Sequence, residues 1–252
     1  MTPLHELVAY ANDLLEVGLF QDYCPNGLQV EGCNDVRRLI AGVTASQWLV
    51  DAAAARGADV LLVHHGYFWK GEDPCITGMK RRRLARLISA DVSLLAYHLP
   101  LDAHVEFGNN AQLARVLGFV AEGQFGSGPG PKIGCFGTLA QPVAATELAV
   151  RIAERLGRAP LHLAGESGMI RRIGWCTGAA QSYLELAADL GLDAFVSGEV
   201  SEQTTHVVRE RGIHFFAAGH HATERYGVQA LGRHLAERFD LAFEYIDIDN
   251  PV

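Results

Sequence analysis

The 252-residue chain lacks the features of membrane, secreted and disordered proteins. No segment reaches the roughly 18 apolar residues that a membrane span needs. The N-terminus has no basic start or unbroken apolar stretch of the kind found in signal peptides, because polar residues interrupt the amphipathic segment Leu4–Leu19. We expect Thr2 and Pro3 to be a helix cap and a first-turn residue. The apolar share of 49% and charged share of 20% are typical of a globular protein.

Cysteine is scarce, and its pattern excludes two kinds of site. The five cysteines are Cys24, Cys33, Cys75, Cys135 and Cys176. They are odd in number, scattered, and contain no C-x-x-C pair, which argues against a disulfide framework and a zinc–thiolate site. This pattern favours a reducing compartment, and we expect a cytoplasmic location. No cysteine lies in a setting that marks a nucleophile, and the chain has no G-x-S-x-G nucleophile elbow.

Net positive charge is also lacking. The formal net charge is −8, so the protein as a whole would not attract a phosphate backbone, and nucleic-acid binding is not expected. One local basic run is formed by Lys80, Arg81, Arg82, Arg83 and Arg86. We favour the solvated face of a helix for this run, and a phosphate-binding patch is the alternative. The segment Gly126–Lys132 resembles a phosphate loop but has Pro131 where the motif needs glycine, so we expect a plain loop.

Strand and helix patterns alternate along the chain, which predicts an α/β fold. The predicted strands are Arg38–Val43, Ala58–Val63, Val92–Tyr97 and Ile213–Ala218. The predicted helices are Gln47–Arg56, Leu84–Ala90 as the continuation of a longer helix, and Asn109–Leu117. The Gly/Pro-rich segment Gly123–Gly134 is the best candidate for a linker or mobile loop.

The second half of the chain repeats part of the first. Residues 38–65 match residues 172–199 at a constant offset of 134, with Gln47 on Gln181 and Gly57-Ala58-Asp59 on Gly191-Leu192-Asp193. A constant offset over about 28 residues indicates a strand–helix–strand unit that is used twice. We therefore predict two similar α/β halves, 1–125 and 126–252, that together form one compact unit.

Three polar clusters directly follow buried strands. They are His64-His65, the stretch Tyr97–His104, and the stretch Gly219–Glu224. Ligand sites in open α/β sheets form outside the carboxyl ends of strands. Consecutive side chains of a strand diverge, so His64 and His65 suit two neighbouring ions better than one. His220 and Glu224 would share one face of a helix, and the Glu224 carboxylate could bridge two ions. The clusters therefore predict a site for zinc, iron or manganese.

Histidines outside these positions are expected to be hydrogen-bonded structural residues. They are His5, His162, His206, His214 and His234. We expect His221 to point away from the metals because it neighbours His220. Asn26 and Gln29 either line the pocket or serve the tight turn that the Asn-Gly pair predicts.

The clusters and further motifs resemble those of the Nif-three-like proteins, often described as GTP cyclohydrolase I type 2 homologues, and are closest to the short bacterial branch. The motifs span nearly the whole chain and are Asp22–Gly32, Gly42–Ser46, His64–Trp69, His98–Asp102, Ser197–Glu199 and Gly219–Glu224. The resemblance implies two intertwined α/β halves related by a pseudo-dyad. It also implies a dinuclear metal site between the halves and a toroidal homohexamer. The ligands it implies are His64, His65, Asp102, His220 and Glu224.

The leading functional hypothesis is metal-assisted hydrolysis by two divalent ions. The resemblance implies a nucleotide or related heterocycle as substrate. His98 and His104 are candidate proton carriers, and Glu224 would bridge the ions. The alternatives are a non-catalytic metal-binding or metal-trafficking assembly, an adaptor that binds other proteins, and a dinuclear phosphoesterase. Nucleic-acid handling through the ring is a further, disfavoured alternative.

Overall fold

The computed structural model describes residues 1–166 and 168–252, which divide into two compact units. The first unit comprises Met1–Gly108 and Gly227–Asp249, and the second comprises Asn109–Tyr226 and Asn250–Val252. Both have helices and strands of mixed α/β type, as the sequence predicts. No helix in the described ranges is both long and apolar enough to cross a membrane.

The first unit contains a five-stranded sheet and a small two-stranded one. Its strands are β1 (Thr2–Pro3), β2 (Gly27–Val30), β3 (Asp35–Val36), β4 (Arg38–Thr44), β5 (Val60–His65), β6 (Ser93–Ala96) and β13 (Ala242–Tyr245). Its helices are α1 (Leu4–Leu14), α2 (Gln47–Ala55), α3 (Gly78–Ser89) and α4 (Leu99–Ala103), with a 3-10 helix at Val17–Leu19. The large sheet has the order β13-β4-β5-β6-β2, in which the first four strands run parallel and β2 is antiparallel to β6.

Helices cover both faces of this sheet, which explains why its central strands are continuously apolar. Val60 and Leu62 of β5 pack in a core that includes residues of α1 and of the later turns of the helix His220–Phe239. Leu61 and Val63 pack on the other face, against residues of α2 and α3. The period of two in the side-chain directions thus buries Val60 to His64, and only His65 at the carboxyl end is half-buried.

The second unit contains a six-stranded sheet. Its strands are β7 (Phe119–Phe125), β8 (Gly134–Val143), β9 (Leu161–Leu163), β10 (Ile170–Cys176), β11 (Ala194–Ser197) and β12 (His214–Ala217). Its helices are α5 (Asn109–Leu117), α6 (Ala145–Leu156), α7 (Leu184–Asp189) and α8 (Glu202–Arg211), with a 3-10 helix at Gln181–Tyr183. Helix α9 (His220–Phe239) starts in this unit's part of the sequence and ends in that of the first unit. The order is β7-β8-β10-β11-β12-β9, with β10, β11 and β12 parallel.

Two strand pairs that correspond in the predicted repeat have the same register in the structure. Strands β4 and β5 are paired in parallel with Leu39 opposite Val60, and β10 and β11 are paired in parallel with Ile173 opposite Ala194. These partners differ by the same offset of 134 residues as the sequence match. A glycine of φ +65° follows the helix between the strands in each case, Gly57 after α2 and Gly191 after α7. The pseudo-dyad between the halves stays a prediction.

The segment predicted as a linker or mobile loop is part of a hairpin inside the second unit, and residues 126–133 form its loop. Its ends belong to β7 and β8, which pair antiparallel from Phe119 opposite Leu139 to Phe125 opposite Gly134. The compact units accordingly do not divide at residues 125 and 126. Strand β7 belongs to the six-stranded sheet of the second unit through its pairing with β8. Strand β13, near the end of the chain, pairs with β4 in the sheet of the first unit. Thr2 and Pro3 form a short strand beside β3, and α1 begins after them.

Candidate metal centre

In the first unit, polar side chains gather at the carboxyl ends of three parallel strands. His64 and His65 are the last two residues of β5, rather than the first two after it as the sequence suggested, and His98 follows β6. The ring centroids of His64 and His65 are 4.5 Å apart, and those of His64 and His98 are 5.1 Å apart. The two rings therefore lie close together although His64 and His65 are consecutive residues of β5. His64 is fully buried and His65 is half-buried.

Each of these three histidines makes a hydrogen bond through Nδ1 to an oxygen. Nδ1 of His64 lies 2.8 Å from the backbone oxygen of Tyr97, and Nδ1 of His65 lies 3.0 Å from Oγ1 of Thr44. Nδ1 of His98 lies 2.7 Å from Oδ1 of Asp22. Ligating histidines in metalloproteins typically have the second ring nitrogen held in this way, while the first binds the ion.

Asp22 is a residue of this site that the sequence reasoning did not single out, although it opens a motif of the family resemblance. Its side chain is 3% exposed and accepts a hydrogen bond from the backbone N–H of Leu99 at 2.9 Å. Asn26 donates to the same carboxylate at 2.8 Å and accepts from the backbone N–H of His98 at 2.7 Å. Asn26 therefore links the carboxylate of Asp22 to the backbone of His98. Burial acts to raise the pKa of Asp22, but the hydrogen bonds and charge of His98 outweigh it and lower that pKa.

Cys24 lies beside Asp22 and His98, and in the absence of a metal its buried thiol is poorly suited to act as a nucleophile. Burial, together with the charge of Asp22, raises the pKa of its thiol to about 12. A thiol must lose its proton to bind a metal or attack a substrate. Within residues 1–166 and 168–252 the cysteines form no disulfide, as predicted.

Asp102 is placed by the short helix α4, which follows β6. Its carboxylate is buried, and Oδ1 lies 3.5 Å from Nε2 of His64. Pro100 near the start of α4 favours helix initiation within a few residues of the strand. The structure thus brings His64, His65 and Asp102 to one end of the first sheet.

In the second unit, polar residues gather at the carboxyl ends of β10, β11 and β12. His220 is the first residue of α9 and lies 3.1 Å, Nε2 to Oε2, from Glu224 one turn later, as the spacing predicts. Nδ1 of His220 lies 2.7 Å from Oε1 of Glu199, which follows β11. Burial acts to lower the pKa of His220, but hydrogen bonds and charges of Glu224 and Glu199 raise it to about 9.

Two glycines make room for this pair, and the sequence reasoning did not assign them a role. Gly178 has φ +66°, and a Cβ atom there would collide with Oε1 of Glu224. A Cβ atom on Gly198 would lie 2.7 Å from Cα of His220. The sequence signal that could have pointed to Gly178 is the repeat, because this position matches Thr44, the hydrogen-bond partner of His65.

Several candidate residues have other roles. Nδ1 of His104 accepts hydrogen bonds from the backbone N–H groups of Glu106 and Phe107, and its ring stacks on Phe107. Gln29 accepts from the backbone N–H of Tyr67 and donates to the backbone oxygen of Pro25, so it joins two loops.

Four of the five histidines expected to be structural, and two residues of the basic run, make local contacts. His162 pairs with His214, His206 with Glu202, and His234 with Tyr10. The basic run lies on the partly exposed face of α3, where Lys80 and Arg86 form ion pairs with Glu72 and Asp51. These contacts favour the solvated-helix interpretation of the run.

The fold and these clusters define a mixed α/β protein with histidine–carboxylate groups that could hold a metal ion. A family model described as Duf34/NIF3 (NGG1p interacting factor 3) matches residues 2–251. The chain belongs to this family, which confirms the resemblance seen in the sequence.

Relatives of known sequence or structure cover the whole chain. A Pseudomonas aeruginosa protein named GTP cyclohydrolase 1 type 2 homolog is 57% identical over 248 residues, 98% of each chain. A solved structure of protein ybgI, described as of unknown function, is 50% identical, covers 100% of both chains and has a TM-score of 0.96. A solved structure of a Thermus thermophilus protein is 34% identical, with 100% coverage of both chains and a TM-score of 0.90.

Proposed function

We propose that this protein is a dinuclear-metal-dependent hydrolase that acts on a nucleotide or related heterocycle. His64, His65 and Asp102 would bind the ions from the first unit, and His220 and Glu224 from the second. The name of the Pseudomonas aeruginosa relative agrees with a heterocyclic substrate. Imidazole and carboxylate ligands suit zinc, iron and manganese.

The supporting observation is the fixed orientation of the proposed histidine ligands. His64 donates from Nδ1 to a backbone carbonyl oxygen, and His220 donates from Nδ1 to the carboxylate of Glu199. In each ring the nitrogen that a metal would bind is then Nε2. Carboxylate or carbonyl partners of this kind set the tautomer and raise the basicity of a metal-binding imidazole. The donor set therefore fits a divalent ion.

The chain's own residues would position the substrate and the nucleophile. Two divalent ions, when bound, would supply an acidified water and would orient the reacting group. Glu224 is buried in the first turns of α9, and its carboxylate would help to hold the two ions. Gly178 leaves the space that this carboxylate fills. Burial of His64, Asp102 and Glu224 limits competition from bulk water for the same positions.

We further propose that the chain assembles into a homo-oligomer. The family resemblance implies a toroidal homohexamer whose metal sites face an internal cavity. Light scattering coupled to size-exclusion chromatography measures this directly, and a mass near six times the 27.3 kDa of the chain is expected. A monomer across the micromolar range would contradict the hexamer and leave the metal site untouched.

The experiment for the proposed function combines metal analysis with a substrate screen. Wild-type protein, His64→Ala and Glu224→Ala are purified without added metal and measured by elemental mass spectrometry. We expect about two ions per chain in the wild type and fewer in both variants. The metal-loaded proteins are then incubated with GTP and a panel of nucleotides and phosphate esters.

Turnover by the wild type that both variants lose would support the hydrolase, and the class of the substrate would separate a heterocycle hydrolase from a phosphoesterase. Metal binding without turnover of any substrate would favour a non-catalytic metal-binding protein. Wild-type protein that takes up no zinc, iron or manganese would exclude the metal centre.

A further inference from the structure

We infer that Arg158 and the cavity beside it bind the phosphate group of a phosphorylated small molecule, so that Arg158 selects nucleotides over nucleosides. This inference rests on the proposed function and deepens it, because it names the side chain that would recognise the phosphate of a nucleotide substrate. All the residues that carry it belong to the second unit.

The cavity has the size and position of a small-molecule site. Its volume is about 540 Å³, and it lies at the carboxyl ends of two parallel strands. Gly198 and Glu199 follow β11, and Ala217 is the last residue of β12. Small-molecule sites typically measure about 300–1,000 Å³, and open α/β sheets bind ligands outside the carboxyl ends of their strands.

The walls of the cavity combine apolar surface with two charges. Leu161 and Val200 are 53% and 37% exposed, so their apolar side chains could cover the body of a bound molecule. Of the lining side chains, Arg158 is cationic and Glu199 is anionic. Oε1 of Glu199 lies 2.7 Å from Nδ1 of His220, so the charge of Glu199 is engaged with the start of α9. Arg158 is therefore the charge that a ligand would meet.

Arg158 is held in place and has no anionic partner of its own. Its side chain lies over the backbone of Gly219, where a Cβ atom would come within 2.9 Å of Nη1. Nη1 donates to the backbone oxygen of Pro251. Within residues 1–166 and 168–252, no carboxylate pairs with this half-buried guanidinium. A guanidinium has five N–H donors, so further donors are left for a ligand.

The donors beside the cavity select oxygen acceptors. Besides the bond from Arg158 to Pro251, the backbone N–H of His221 donates to the backbone oxygen of Val252 at 3.0 Å. Hydrogen bonds between ionised groups are about twice as strong as those between neutral ones, and the guanidinium fork matches the spacing of phosphate oxygens. A phosphate is therefore a better partner for Arg158 than any neutral group of the ligand.

The test compares ligands that differ by one anionic group. Full-length protein as purified is titrated in a calorimeter with guanosine 5′-phosphate and guanosine, with adenosine 5′-phosphate and adenosine, and with orotate and uracil. The last pair differs by a carboxylate. The titrations are repeated in EDTA, which removes direct bonds from phosphate to any bound metal.

The variants are Arg158→Gln, which removes the charge, and Arg158→Lys, which keeps the charge and removes the fork. Arg151→Gln is the matched control, because Arg151 is a partly exposed arginine of the same unit that pairs with Glu147 and lines a separate cavity. Leu161→Ala tests the apolar wall. Circular dichroism confirms that each variant is folded.

We expect the wild type to bind each nucleotide about 10- to 100-fold more tightly than its nucleoside, the range for a charge-assisted hydrogen bond, in EDTA as well. Arg158→Gln should abolish most of this preference, Arg158→Lys should keep part of it, and Arg151→Gln should keep all of it. Leu161→Ala should weaken both members of a pair by the same factor. Where a nucleotide is turned over, Arg158→Gln should raise KM and leave kcat nearly unchanged.

Three results would overturn the inference: no binding of either nucleotide, a preference for nucleotides that Arg158→Gln leaves intact, and an Arg158-dependent preference confined to orotate, which would assign Arg158 to a carboxylate. The proposed function fails separately. Arg158-dependent nucleotide binding by a protein that holds no metal and turns over no substrate would keep this site and remove the hydrolase.

Discussion

Asp59 and Asp193, which are 134 positions apart, make the same hydrogen bonds in the two units. Oδ2 of Asp59 accepts from the backbone N–H groups of Arg37 and Arg38 at 2.8 Å each. Oδ2 of Asp193 accepts from those of Arg171 and Arg172 at 2.9 and 2.8 Å. In both units the carboxylate connects the starts of two neighbouring parallel strands by hydrogen bonds, β4 and β5 in the first unit and β10 and β11 in the second.

These carboxylates give a first prediction about stability. Asp59→Ala and Asp193→Ala each remove an acceptor shared by two N–H groups, and we expect each to lower the free energy of unfolding by about 1–3 kcal/mol. Asp59→Asn and Asp193→Asn keep an oxygen in place and should cost less than the alanine variants. Urea unfolding followed by circular dichroism measures the difference. Equal losses for alanine and asparagine would show that charge, rather than the hydrogen bonds, is what matters.

A second prediction concerns the space beside Glu224. Gly178→Ala should reduce metal content, because the added Cβ would displace the carboxylate of Glu224. Gly157→Ala is the matched control, since Gly157 also has positive φ, +71°, but no atom within 4 Å of the added Cβ. Both variants should lose about 1–2 kcal/mol of stability from the left-handed backbone. Elemental analysis then separates them, and a Gly178→Ala protein with full metal content would contradict the prediction.

A third prediction concerns stability in weak acid. Burial lowers the pKa of His104 below its ordinary value of 6.5, and its Nδ1 accepts two backbone hydrogen bonds that protonation at Nδ1 would break. A histidine with a lowered folded-state pKa stabilises the fold above the unfolded-state pKa, and this contribution is lost as pH falls from about 6.5 toward the folded-state value. The free energy of unfolding should therefore fall less steeply between pH 7.5 and 5 in His104→Gln than in the wild type. Parallel curves for the two proteins would show that His104 does not contribute.

A fourth prediction concerns metal removal. An ion that binds the folded chain stabilises it by mass action, by about 2.7 kcal/mol at a concentration of 100 times its dissociation constant. We expect EDTA to lower the Tm of wild-type protein, and excess Zn²⁺ to restore it. Scanning calorimetry of His64→Ala and Glu224→Ala should show smaller shifts. A Tm in the wild type that is insensitive to EDTA and zinc would argue against tightly bound metal.

Much of the fold could be predicted from the sequence because its signals are local and periodic. The apolar strands and glycine-terminated helices of the repeat were recognisable, and Asn109–Leu117 forms a helix with the predicted bounds. The hairpin of β7 and β8 was missed because the glycines and prolines of its turn resemble those of a linker. Strand β13 was missed because its partner residues in β4 lie 204 positions earlier, and no local pattern shows such pairing.

The candidate site was predictable where ligand chemistry is visible in the residue type. Histidines at strand ends are such a signal, and so is the i,i+4 spacing of His220 and Glu224. The residue types of Asp22 and Gly178 do not reveal their roles. Asp22 orients His98 and Gly178 leaves space for Glu224, and both roles depend on tertiary contacts. His98 and His104 looked alike in the sequence, and their hydrogen-bond partners separate them.

The pairing of β13 with β4 has a consequence for how the chain folds during synthesis. All strands of the six-stranded sheet lie before residue 218, so that sheet can assemble while the ribosome is still translating. The other sheet, although it begins near the N-terminus, leaves one edge of β4 uncovered until residues 242–245 emerge. An uncovered strand edge invites pairing with other chains. The earliest part of the protein to be made is therefore among the last to be finished, and it is the part that a nascent-chain chaperone would need to protect.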